Sequence, residues 1–198
     1  MNMMSRFVLP LIASLAMAAG SHAGTIIDTG AGGTTSGYAL ASWQWLGSEI
    51  HLDKNYTVTG INGWMSSWSG GALQMNLTQL DGGKPSTVLY STSIAIGAQT
   101  TSHWVGASDL AWDLLAGTYA VTFTPTDPGF DGAMAFDAPA PAGQLYVGID
   151  GIWYGTSGAL ALQVFGDETA SGDVPEPASL ALMGLALAGL AASRRRRV

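Results

Sequence analysis

Seven tryptophans, Trp43, Trp45, Trp64, Trp68, Trp104, Trp112 and Trp153, all lie between residues 24 and 165 of a 198-residue chain. An indole has two uses there. Its flat face stacks on the apolar side of a pyranose ring, or it fills a core, where an aromatic side chain buries about 150 to 250 Å2. On a strand the core is the ordinary use. Trp68, set between Ser67 and Ser69 in a polar stretch, is the tryptophan best placed to stay exposed and stack on carbohydrate. Trp153 and Tyr154, between Gly151 and Gly155, come next. Asp127, Asp131 and Asp137 sit in a Gly/Pro-rich segment and Asp150 precedes Gly151. Carboxylates and loop carbonyls of this kind supply Ca2+ with oxygens. The spacing, however, matches no calcium loop, and solvated turn acids account for it more simply. For catalysis the inventory is thin: beyond residue 23 only His51 and His103, Glu49 and Glu168 ahead of the tail, and no cysteine. With no zinc-binding helix motif, no nucleophile elbow and no phosphate loop, no catalytic residue is assigned. Two carboxylates suffice for a glycosidase, so a secreted polysaccharide-processing enzyme stands as the alternative to a binding protein.

The two ends are addresses rather than chemistry. Residues 1–6 carry one positive charge, residues 7–19 are apolar, and Ser21-His22-Ala23 is a small-x-small site. This is a signal peptide, with signal peptidase cutting between Ala23 and Gly24. No cysteine accepts a lipid there, which excludes a lipoprotein. At the other end, Val174, Pro175, Glu176 and Pro177 precede an uncharged run at 178–193, and Arg194, Arg195, Arg196 and Arg197 stop it. The run is somewhat short of the roughly 20 residues that cross a bilayer core. Arginines beside a membrane helix stay on the cytoplasmic face. The chain before Val174 is therefore expected on the outer side, tethered through the polar linker 166–173.

This tail resembles the PEP-CTERM sorting signal of Gram-negative bacteria, which has the same order of Pro-Glu-Pro motif, short apolar helix and terminal basic cluster. The resemblance implies processing by an exosortase, a membrane-embedded cysteine peptidase, at or near the proline motif. It further implies export across the inner membrane, passage through a membrane-anchored form facing the periplasm, and arrival at the cell surface or outside it. Residues 85–91, 104–106, 110–112 and 116–123 are similar to segments of uncharacterised ectodomains of PEP-CTERM proteins, a likeness that brings no activity with it. The exopolysaccharide that accompanies this sorting system is the expected partner, in adhesion or biofilm. No cofactor is expected apart from the Ca2+ reading of Asp127 and Asp131.

Between the addresses, residues 24–173 suit one domain with its own core. They contain thirteen acids and two lysines, a formal charge of −11. Such a charge opposes nucleic acid and anionic membrane surfaces as partners. Without disulfides, stability rests on burial.

The dominant pattern from 24 to 165 is alternation, the period of a strand with one buried face. It predicts an edge strand at 25–28, an aromatic run at 38–46, strands at 56–65 and 73–78, and a hairpin turn at 80–85 with its return at 87–96. Further strands are predicted at 118–124, 134–136 and 145–149, the last ending in an Asp150-Gly151 turn, and Leu160, Leu162 and Val164 close the domain. Gly60 and Gly63 invite a bulge or close backbone approach in the strand at 56–65. No stretch keeps a 3.6-residue apolar period for three turns. The expected fold is an all-β, antiparallel sandwich of jelly-roll type spanning 24–165, with about ten strands.

Overall fold

Alternating side chains resolve into thirteen strands in a computed structural model that describes residues 24–33 and 37–169. The expected signal peptide with its Ala23 cleavage position, residues 170–173 of the linker, and the sorting tail with the helix expected in it lie outside the described residues. In chain order the strands are β1 (Gly24–Asp28), β2 (Tyr38–Ala41), β3 (Gln44–Leu52), β4 (Tyr56–Ser67), β5 (Gly71–Asp81), β6 (Lys84–Ile96), β7 (Gln99–Ala107), β8 (Trp112–Leu114), β9 (Gly117–Pro125), β10 (Asp131–Met134), β11 (Leu145–Ile149), β12 (Ile152–Thr156) and β13 (Leu162–Glu168). All strand pairs are antiparallel, and the described residues contain no helix.

The clearest alternation sits at the centre. On β9, Val121 and Phe123 point inward; Leu46 and Ser48 of β3 lie opposite them on one side, Met75 and Leu77 of β5 on the other. Thr122 and Asn76, one residue out of phase, share the reverse face and bond to each other. A second group forms around β4, with β13 along one edge and β7 and β8 along the other. Its Val58, Ile61, Met65, Leu162 and Val164 face the same core as Leu46, Phe123 and Met75. The two groups touch at Gly63. A side chain begun there would lie 2.9 Å from Phe123 Cζ and 2.8 Å from Met65 Cε. Glycine is therefore what lets the layers close.

The all-β antiparallel expectation holds, with a refinement. The two layers are not separate sheets: β10 pairs with both β4 and β2, and Ala41 of β2 pairs with Gln44 of β3, so one sheet curls over its own core. Particular strands also differ from the sequence reading. The run 38–46 divides at Ser42 and Trp43, where the chain turns between β2 and β3. Residues 152–156, unassigned by their glycine-interrupted pattern, pair with β11 as β12. Gly166, Asp167 and Glu168 belong to β13 rather than to the linker, because they pair with Val58, Thr57 and Tyr56.

Candidate functional site

The long strands β3 and β4 have two unlike ends. One is the loop Asp53-Lys54-Asn55 between them, where polar groups bind the chain's exit. Thr169 N–H donates to the Asn55 carbonyl at 2.9 Å, and Ala116 N–H donates to Asn55 Oδ1 at 2.9 Å. Lys54 Nζ meets Glu168 Oε2 at 2.7 Å, and that bond raises the lysine's pKa. Tyr56 Oη donates to Asp53 Oδ1 at 3.0 Å, which raises the phenol's pKa because ionisation would forfeit the bond. Gly24, at the start of β1, pairs with Gly166. Both termini of the described domain thus leave from this end.

At the opposite end of both strands the aromatic side chains are uncovered. Trp68 follows β4, and its backbone N–H donates to the Asp131 carbonyl at 2.8 Å. Asp131 in turn pairs with Ala41, two residues before Trp43 in the β2–β3 turn. Gln44 then pairs with Ile149, which pairs with Ile152 across the Asp150-Gly151 turn. Trp43 is 58 % exposed, Trp68 50 %, and Ile149 and Ile152 are exposed as well. Gly70 and Gly71, at φ of 71° and 130°, carry the chain from Trp68 into β5 through a region that disfavours side chains. Ser69 accepts from Asp131 N–H at 2.8 Å, which holds this turn against β10. Twelve residues of β4 separate the two ends, about 35 Å of extended chain.

The other tryptophans are packed. Trp45 and Trp153 lie 5.9 Å apart, from β3 and β12, over Gly148 of the intervening β11. Each indole would come within about 3.1 Å of a side chain begun at Gly148, so the pair covers a bare glycine. Trp64 and Trp104 meet edge to face at 5.3 Å above Ala138, Ala159 and Ala161. Trp112 is buried and stacks on Tyr90. Of the carbohydrate-stacking residues expected from sequence, Trp68 and Tyr154 are exposed and Trp153 is half-buried. Lys84 Nζ lies 5.9 Å from the centre of the Tyr154 ring. Trp43 escaped the sequence reading because its neighbours continue an aromatic strand pattern on both sides; Ser42, alone in that run as a turn former, is the only local signal.

The acids serve turns. Asp127 Oδ1 accepts from Gly129 N–H at 2.9 Å and Asp137 Oδ1 from Gly33 N–H at 2.7 Å, while Asp150 occupies its turn at φ 51°. Among the described residues no three His, Asp or Glu side chains gather as metal ligands. His51 Nδ1 is 3.1 Å from Thr118 Oγ1, and His103 contacts Gln99. Tyr146 Oη donates to Glu49 Oε2 at 2.9 Å. Burial, reinforced by that carboxylate, pushes the Tyr146 phenol well above its ordinary range.

Compared with known families, residues 173–197 match the PEP-CTERM protein-sorting motif. The tail marks the chain for export and sorting toward the cell surface, with an exosortase as its processing partner. No curated protein matches the chain.

Proposed function

We propose that the exported domain is a non-enzymatic surface or matrix protein that holds exopolysaccharide on its tryptophan rim, in an adhesive or biofilm-associated role. What carries this reading is the placement of Trp43 and Trp68 on either side of Asp131, at the end of β3 and β4 away from Thr169. A chain held in the inner membrane by its apolar run at 178–193, with the domain on the periplasmic side, presents that rim outward. After exosortase processing near Pro175, Glu176 and Pro177 the rim stays free. Leaving two indoles in water forfeits burial on the order of 1 kcal/mol or more each, and exposed apolar clusters on otherwise packed proteins mark interaction sites. Stacking on the C–H face of a sugar returns part of that burial without requiring charge, which suits a domain of strongly negative charge.

The test is co-sedimentation of the full-length chain, in mild detergent, with exopolysaccharide from the producing cells. Wild type is expected in the polymer fraction, and a Trp43→Ala/Trp68→Ala double variant in the supernatant with its melting temperature nearly unchanged. Equal retention of both proteins, or none of wild type, overturns the reading. Shortening of the polymer during incubation would identify the polysaccharide-processing enzyme instead.

A further inference from the structure

Away from the rim, a cleft of about 580 Å3 opens on the outer side of β4 and β13, bounded by Phe165, Gly60, Asn62 and the loop from β7 to β8. Sites for small molecules span roughly 300 to 1,000 Å3, so a ring-sized ligand fits. A register slip makes the cleft. Gly60 pairs with Phe165 but Val58 with Gly166, so Thr59 is the extra residue of a bulge. Its carbonyl accepts Leu110 N–H at 2.9 Å and fastens the loop along the cleft's edge. The loop then carries Asp109 at φ 58°, a left-handed conformation that only Gly, Asn and Asp adopt readily.

The chemistry of the lining is specific. Phe165 supplies an apolar wall, and no side chain at Gly60 shields it; one begun there would meet the ring at 3.5 Å. Asp109 and Asn62 bring a carboxylate and an amide, and Ser108 a hydroxyl. Ser108 Oγ donates to Asp109 Oδ2 at 3.0 Å, leaving Oδ1 for a ligand. Asn62 Nδ2 reaches Gln163 Oε1 at 3.4 Å, leaving its own carbonyl oxygen and a second N–H. Lys54 and Lys84, the two lysines of the described residues, do not line the cleft. An anion would therefore meet an uncompensated carboxylate, and a wholly apolar ligand would strip water from three polar groups without replacing it. A ring with one C–H face and an edge of hydroxyls satisfies both sides: the face lies on Phe165 while adjacent hydroxyls donate to Asp109 and exchange bonds with Asn62.

We propose that this cleft binds a single unit of a neutral pyranose. The inference goes beyond the rim reading and stands if that reading fails, since neither Trp43 nor Trp68 lines the cleft. It is tested by saturation-transfer NMR on the full-length chain in detergent, with methyl α-glucopyranoside, methyl β-galactopyranoside and N-acetylglucosamine as probes. Sodium glucuronate and tetramethylammonium chloride serve as the anionic and cationic comparators. At least one neutral sugar is expected to receive saturation on its ring C–H protons, with none reaching glucuronate. Binding should fall about tenfold or more in Asp109→Gly, which removes a charged hydrogen-bond partner while its backbone conformation is one glycine prefers. Phe165→Ala should lose it too, and Trp43→Ala/Trp68→Ala should retain it. Absence of signal from every neutral sugar, binding unchanged in Asp109→Gly, or signal from tetramethylammonium alone overturns the proposal.

Discussion

The two ends of β3 and β4 are built from the same strands and finished in opposite ways. Around Asn55 polar bonds close the chain, although Leu115 beside them stays exposed: Thr169 and Ala116 are bonded to it, Lys54 meets Glu168, and Tyr56 meets Asp53. Around Asp131 the backbone is equally well bonded, yet Trp43, Trp68, Ile149 and Ile152 stay in solvent. The contrast teaches that exposure here is not looseness. The backbone bond from Trp68 to Asp131 and the Ala41–Gln44 pair that flanks Trp43 hold the rim's two turns while the indoles stay uncovered, and the closed end delivers the chain to its sorting tail.

The largest effect should come from the tail, where the comparison assigns the closed end its purpose. Glu176→Ala is expected to leave the domain folded while the unprocessed precursor accumulates in the membrane fraction of cells that carry an exosortase. Mass measurement of membrane and medium fractions checks this. A wild-type protein that keeps its full post-signal length and never leaves the membrane would mean the tail is a permanent anchor. Next is the core that keeps the ends apart. Phe123→Ala empties the contact beneath Gly63 between the two layers and should cost about 3 to 5 kcal/mol in denaturant unfolding. If only one end lost order, the single curled sheet would be the wrong description.

A smaller effect belongs to Tyr146, beside Glu49. Its phenol is held above the ordinary value in the folded chain, whereas in the unfolded chain it ionises near 10. Above about pH 10 the unfolded state gives up a proton that the folded state keeps, so stability declines as pH rises. Tyr146→Phe should flatten that decline between pH 9 and 11 in melting experiments while losing about 1 kcal/mol near neutrality with the hydrogen bond. Tyr56 and Lys54, both raised in the same direction, contribute to what decline remains. The smallest change is at the closed end: Lys54→Ala removes an exposed ion pair, so melting should shift slightly at low salt and not at all at high salt. A large shift would show that the closed end, rather than the core, holds the domain together.

Much of the fold is legible in the chain because strands announce themselves locally. Tyr119, Val121 and Phe123 alternate without interruption, and Asp81-Gly82-Gly83-Lys84 turns as its glycines require, at φ of 56° and 75°. Where two glycines enclose a run of only three residues, no alternation is left to read. Gly151 and Gly155 hide β12, although pairing with β11 makes it a strand. The rim is half legible: Trp68 stands in polar company, while Trp43 sits in a run that reads as one strand and turns in its middle.

The all-β class, the faces of the central strands and the sorting tail could be read from the chain because each is written in neighbouring residues, and the negative charge of the exported part follows from composition alone. The tertiary structure alone decided which tryptophans are covered. Trp45 and Trp153 become partners only because register places Gly148 between them. Trp43 and Trp68 share one rim only because β10 sets Asp131 against both Trp68 and Ala41, two residues before Trp43. The alternation that marks a strand repeats every two residues and leaves the choice of partner open. Register is set by the closure of a core whose contributors are far apart in the chain, and exposure follows from register.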